Sequence, residues 1–146
     1  MTGPLSRARR SGRRPGRRSA RTALLVIGHG SRVGTANRIL RRIARALRVR
    51  FPGRVVEACY LEAATPAVQA GIDRCVARGA TRVLFVPYFL YLGDHVRRDL
   101  PEAAALARRR HGDLEVRIAP HLGDDRRLAA IVADRVRLGL RAGRWR

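Results

Sequence analysis

The chain has 146 residues, 46% of them hydrophobic, and a net charge of +21. That length holds one domain with a real core and falls short of two ordinary ones, and no apolar run approaches the ~20 residues of a membrane span. Every basic residue is arginine, a skew that GC-rich coding explains better than guanidinium chemistry at each site, so no arginine is read as functional on its charge alone.

The first 22 residues hold eight arginines and no acid, which leaves +13 for the rest. They contain Gly, Pro and Ser with almost no large apolar residue, so 1–21 reads as a disordered arm. A nucleic-acid or membrane-binding tail, an export signal and a leader included by an upstream start codon compete to explain it. The apolar run behind the arginine pairs is too short for an export signal, and a leader or functionless tail ranks first. The body, 22–140, is basic in its own right and suits an anionic partner: nucleic acid, an anionic membrane or a polyacidic small molecule. Residues 141–146 form a tail.

"TALLVIGHG" is an apolar run ended by glycine, as in a buried parallel strand. "TANRILRRIARALRVRF" spaces Ile39, Ile43 and Leu47 four apart beside Leu40 and Ala44, an amphipathic helix that "FPG" breaks. "RVVEACYLEA" reads as a second strand. "TPAVQAGIDRCVARGA" reads as a helix with Thr65 as N-cap, Pro66 at its first position and Gly79 past its end. Its buried stripe is Val68, Ile72, Cys75 and Val76. "TRVLFVPYFL" is the most apolar strand and is expected to be central, with Pro87 near its end. The loop "YLGDHVRRD" comes next, then the helix "LPEAAALARRRHG" with Pro101 at its start. "DLEVRIAPHL" is strand four. "GDDRRLAAIVADRVRLGL" is the last helix, capped by Asp124 or Asp125, with Leu128, Ile131, Val132, Val136 and Leu138 available for burial. Such alternation implies a single three-layer α/β domain: a four-stranded parallel sheet with helices on both faces, joined by right-handed crossovers.

In open parallel sheets ligands bind beyond the carboxyl ends of the strands. His29 follows strand one, Glu62 lies toward the end of strand two, His95 follows strand three and His121 follows strand four. His111, in "RRRHG", ends a helix at the opposite edge and reads as a solvated residue favoured by the helix dipole. Three imidazoles and a carboxylate on one rim are the raw material of a transition-metal site. Taken singly, each histidine is better explained by a turn or a hydrogen bond, and it is three of four on one edge that points to a site. Cys59 and Cys75 form no CxxC or zinc-knuckle pair and read as two buried thiols. "GHGSRVG" lies where backbone N–H groups favour anions. It matches neither GxGxxG nor the P-loop template, so it is a poor nucleotide loop.

Together "LLVIGHGSR", "YLEAATPAV", "VLFVPYFLYLGDHVRRDLP" and "VRIAPHLGDDRRLA" resemble the small sirohydrochlorin chelatases of the CbiX/SirB type, in the class II chelatase superfamily. The similarity runs from about Ala23 to Val136, in order and with matching spacing. The resemblance implies insertion of a divalent metal substrate (Co2+ or Fe2+, with Ni2+ in some relatives) into sirohydrochlorin or a related polycarboxylate tetrapyrrole, without ATP or any nucleotide. It aligns the metal-binding histidines with His29 and His95 and the acidic residue with Glu62. His121 falls in a more variable place and is carried over only as a candidate contributor. The loop before the second histidine often reads "FAGxHV" in the family and "YLGDHV" in this chain, so Asp94 is a local variation, read as a helix cap.

Ser31, Arg32, Gly93 and Arg97 are the candidate substrate-binding residues, and Arg98 is nearby; guanidinium pairs bidentately with carboxylate. By the resemblance, the chain corresponds to one of the two α/β halves of larger class II chelatases, which implies a homodimer, and a cytoplasmic setting is expected. Two rivals stand beside this reading. One is a carrier of metal or tetrapyrrole on the same fold. The other is a nucleic-acid-binding protein, for which the body lacks interleaved aromatics, so nucleic acid is expected only as a non-specific partner of the arm.

Overall fold

The computed structural model describes residues 20–142. Apart from their inner two residues each, the arm and the tail read from the sequence lie outside the described residues. Arg21 already belongs to the fold: its N–H donates to Thr81 Oγ1, and its carbonyl accepts from the N–H groups of Thr81 and Arg82.

Eight elements alternate: β1 (Thr22–Gly28), α1 (Gly34–Arg50), β2 (Val56–Tyr60), α2 (Val68–Ala77), β3 (Arg82–Pro87), α3 (Asp94–His111), β4 (Glu115–Ile118) and α4 (Arg126–Arg141). The strands form one parallel sheet in the order β2-β1-β3-β4. β1 lies inside it, and every residue from Ala23 to Gly28 is buried, which is why its sequence is apolar without alternation. β3 is also interior, as expected, yet its burial alternates. One face of β3 packs under helices and the other is only half covered.

On the first face, Leu25, Ile27, Val83, Phe85 and Val116 pack against Val68, Ile72 and Cys75 of α2 and Val96, Leu100, Ala104 and Ala107 of α3. On the second, Leu24, Val26 and Val56 meet Leu40 and Ala44 of α1. Each large aliphatic side chain removed from water in this way contributes about 1.5–3 kcal/mol.

Each of the four helices departs in detail from the sequence expectation. In α1 the buried stripe is Asn37, Leu40 and Ala44, while Ile39 is 54% exposed. Ile43 and Leu47 pack beside that stripe as expected, so the helical period holds and only Ile39 falls off the buried face. In α2 the helix starts at Val68 and its cap residue, Ala67, makes no side-chain cap bond. Thr65 and Pro66 precede it, joined by a cis peptide. Tyr60 N–H donates to the Pro66 carbonyl, and Tyr60 and Ala67 pair as an isolated parallel bridge, so these residues are held extended along the end of β2.

In α3 the helix begins at Asp94 and Pro101 is internal. Proline removes one backbone hydrogen bond there. Burial of Val96 and Leu100, on the same stripe as Ala104 and Ala107, holds the first turns in place regardless. The fourth departure is α4. Asp125 caps it as expected, accepting from the Arg127 N–H at 2.9 Å, and the Arg127 guanidinium on the same carboxylate holds it well below the usual carboxylate range. None of Leu128, Ile131, Val132, Val136 and Leu138 is buried, and Val132 is 61% exposed. The sheet face that such a helix would cover, at β3 and β4, holds half-buried Leu84 and Val86 and an open hollow of about 260 Å3 lined by Thr22, Arg82, Leu84, Glu115 and Arg117.

Both cysteines are buried thiols, as expected. Burial, and secondarily the charge of Glu57, pushes Cys75 up to about 12, and burial pushes Cys59 up as well. Neither is a thiolate at neutral pH, so neither offers a metal ligand. His111 is tied more closely than a solvated residue would be. Its Nε2 lies 2.8 Å from Asp73 Oδ1, and Arg110 donates to Oδ2 of the same carboxylate, so the end of α3 is clamped to α2. Among the described residues no helix is long and apolar enough to cross a membrane.

Candidate functional site

The chain leaves β1 for β2 on one side and later crosses to β3 on the other. Strand order therefore reverses beside the carboxyl end of β1, and a crevice opens where neighbouring connections diverge. His29 is the first residue past β1 and Glu62 the second past β2, while His95 is the second residue of α3, on the connection that leaves β3. Two of the three predicted histidines thus flank the reversal on adjacent strands. His95 stands in a helical first turn rather than in the loop expected for it.

Backbone bonds bring His29 and Glu62 together. Leu61 N–H donates to the Gly28 carbonyl and Glu62 N–H to the His29 carbonyl, each at 3.0 Å, so the β1–β2 ladder continues past the strand ends. Tyr88 N–H donates to the Ile27 carbonyl on the other side. This close approach depends on Gly30. Its φ is +96°, and a Cβ there would sit 1.8 Å from the Glu62 carbonyl oxygen. The result is an ion-pair geometry with His29 Nδ1 3.1 Å from Glu62 Oε1, both side chains half or more exposed. A carboxylate that accepts from Nδ1–H selects the tautomer whose Nε2 carries the lone pair.

The remaining predicted residues divide. Ser31 is enclosed by its own loop: Oγ accepts from Val33 N–H at 3.0 Å, and both backbone groups are bound by Asn37. Arg32 is exposed beside it. Gly93 precedes α3 at φ −65°, a conformation any residue adopts, and its carbonyl accepts from Arg97 N–H. Arg97 Nε donates to the Leu92 carbonyl at 3.3 Å, so part of that guanidinium braces its own loop. Arg98 is exposed on the same turn. His121 lies past β4, an edge strand, where Leu122 N–H ties its loop to the Phe89 carbonyl. Among the described residues no three His, Cys, Asp or Glu side chains group closely enough to hold a metal ion, so His121 does not join His29 and Glu62 in a three-donor set.

Two residues of the site escaped the sequence. A cleft of about 170 Å3 opens beside His29, lined in part by Asn37, Ile39, Tyr60 and Tyr88. Asn37 is buried, and its backbone carbonyl accepts from the hydroxyl of Tyr60, itself buried in the core. The signal was a lone short amide on the inward side of an arginine-rich helix.

The sequence model of the CbiX family matches residues 23–138. A sirohydrochlorin cobaltochelatase of Priestia megaterium is 31% identical over 119 residues, which are 82% of this chain and 39% of that protein. A sirohydrochlorin cobaltochelatase of Methanopyrus kandleri is 28% identical over 138 residues, with 81% of this chain and 96% of that protein covered. The sirohydrochlorin chelatase SirB of Bacillus subtilis subspecies spizizenii, solved in complex with cobalt, superposes with a TM-score of 0.74 at 29% identity, over 80% of this chain and 50% of SirB. The chain therefore spans half or less of the longer relatives it matches and nearly the whole length of the Methanopyrus protein. The family match begins in the buried run of β1 and ends within α4, so it takes in every strand and the histidine-bearing edge: the chain belongs to the CbiX family.

Proposed function

We propose that this chain inserts a divalent metal, Co2+ or Fe2+, into sirohydrochlorin without a nucleotide, in the synthesis of cobalamin or sirohaem. The observation that carries the reading is the His29–Glu62 pair at the reversal of strand order, with His95 opening the helix that follows the adjacent strand. The names of the relatives supply the substrate class. Ni2+ is a third candidate metal. A cytoplasmic setting suits two reduced, buried thiols. Nucleic acid meets the chain only non-specifically, through the basic stretch 1–21.

Insertion needs a partly desolvated ion, loss of two pyrrole N–H protons and a ring bent enough to expose its nitrogens. His29 Nε2 and the His95 imidazole hold the incoming ion through few ligands, leaving positions for ring nitrogens. Glu62 orients His29 and, being exposed, accepts ring protons and passes them to water. Arg32, Arg97 and Arg98, all exposed, meet peripheral carboxylates, while Ser31 and Gly93 shape the loops beside them. Two imidazoles and a carboxylate release the ion more readily than a closed four-ligand cage would. The test is an anaerobic absorbance assay with sirohydrochlorin and Co2+, Fe2+ or Ni2+ in parallel. Turnover with at least one metal supports chelatase activity; spectral binding without turnover makes the protein a carrier instead.

The partner in this reading is a second copy. Among the described residues, α4 carries an apolar stripe with no buried position, and β3–β4 present a face that no helix covers. These are complementary halves of one contact, and a two-fold pair satisfies both by reciprocal packing. Sedimentation of the full chain at micromolar concentration is expected to give twice the chain mass of 16.3 kDa. The double variant Val132→Asp/Val136→Asp is expected to sediment as a single chain with its helix content retained. A monomeric parent, or a variant that remains dimeric, would overturn the pairing.

A further inference from the structure

Asn37 is the one buried polar residue among the described residues, 9% exposed on the inward face of α1. Its carboxamide binds a single residue of the site loop at both ends. Ser31 N–H donates to Oδ1 at 3.0 Å, and Nδ2 donates to the Ser31 carbonyl at 2.7 Å. An amide presents acceptor and donor side by side, as a neighbouring strand does, so it substitutes for the ladder partner that the chain loses on leaving the sheet. The core secures Asn37 from the other direction through Tyr60, whose hydroxyl donates to its backbone carbonyl at 3.0 Å.

His29 stands between two such supports. On the β2 side its carbonyl accepts from Glu62 N–H, and on the α1 side the residue two further on is clamped by Asn37. Gly30 joins the two and has the positive φ that the turn requires. We propose that Asn37 is a positioning residue of the metal-handling site: it fixes the backbone on which His29 is mounted, and so the direction in which the imidazole presents its donor nitrogen. The proposal deepens the chelatase reading and rests on it for the ion concerned.

Leucine is the informative replacement, because it keeps the branched shape and heavy-atom count and removes both hydrogen bonds. In Asn37→Leu, Co2+ affinity measured by calorimetry with the metal alone is expected to fall about 10- to 100-fold, the range seen when residues supporting a metal ligand are lost. In the insertion assay kcat is expected to fall with it and by more than KM for the tetrapyrrole rises, since Arg97 and Arg98 stand on α3 rather than on the loop that Asn37 clamps. The 15N resonances of the His29 imidazole, assigned by comparison with His29→Gln, are expected to shift and broaden in the metal-free variant.

A merely structural asparagine would lower Tm and leave both Co2+ affinity and the imidazole signals of the folded protein unchanged, which would overturn the proposal. Should Asn37→Leu fail to fold, Asn37→Asp keeps the acceptor for Ser31 N–H and replaces the donor with an oxygen that the Ser31 carbonyl repels. It too is expected to bind Co2+ more weakly than the parent, and parental affinity there would equally overturn the proposal. Failure of the chelatase reading looks different: the parent itself would show no turnover, while the imidazole resonances would still report whether Asn37 positions His29.

Discussion

His29→Ala is expected to abolish metal insertion, with kcat/KM down by about 100-fold or more, because the variant removes an ion ligand and the group through which Glu62 acts. The fold should survive it. His29 is half exposed, and its backbone ladder bond does not depend on its side chain, so the change in stability should stay within about 0.5 kcal/mol. Glu62→Gln separates the two tasks of the carboxylate. The amide can still accept from His29 Nδ1–H but cannot take up a proton, so metal affinity should hold better than turnover. Steady-state kinetics alongside thermal melts checks both. Wild-type turnover in His29→Ala would remove His29 from the site.

The second large effect is expected at Gly30, which carries no chemistry. In Gly30→Ala the backbone conformation alone costs about 1–3 kcal/mol. The new Cβ would also lie 1.8 Å from a carbonyl oxygen, where no relaxation of a side chain can help. Relief requires Glu62 to move, which breaks the bond from its N–H to the His29 carbonyl and separates the pair. The variant should therefore melt at lower temperature and lose more insertion activity at 25 °C than its folded fraction accounts for. A variant with unchanged melting and unchanged turnover would mean that the loop does not need this close approach.

Much of the architecture was legible in the sequence, for reasons that differ by element. β1 was readable because a strand buried on both faces leaves no room for polar residues. α1 was recognised by its period, and Leu40, Ile43, Ala44 and Leu47 lie against the core as read, but at its first turn Ile39 is exposed and Asn37 is buried. The asparagine proved to be the inward residue because it has a polar partner in the loop above it, and hydropathy cannot register such a partner. The start of α3 was hidden by Pro101, which reads as a first-turn residue. Val96 and Leu100 extend the stripe of Ala104 and Ala107 back past it, and their burial outweighs one missing hydrogen bond.

The stripe of α4 was read as available for burial, and among the described residues no element buries it, because a period shows that a face is apolar and not what lies against it. Of the candidate site, the edge and its residues were legible from the histidines and the glutamate at the carboxyl ends of the strands. The pairing of His29 with Glu62 was not, because it depends on a ladder continuing beyond two strands that lie far apart in the sequence.

That continued ladder bears on how the protein can hold and release an ion. In small metal-dependent domains the ligands meet only when the ion draws them together, so binding and folding are one event and release means unfolding. In this chain Gly28, His29, Leu61 and Glu62 are joined by main-chain bonds, and Asn37 and Tyr60 tie the same loop to a packed core. These bonds form without any ion. Under the proposed chelatase reading, affinity would then be set by ligand number, low enough for the cargo to leave for a better set of nitrogens while the backbone of the site keeps its shape for the next one.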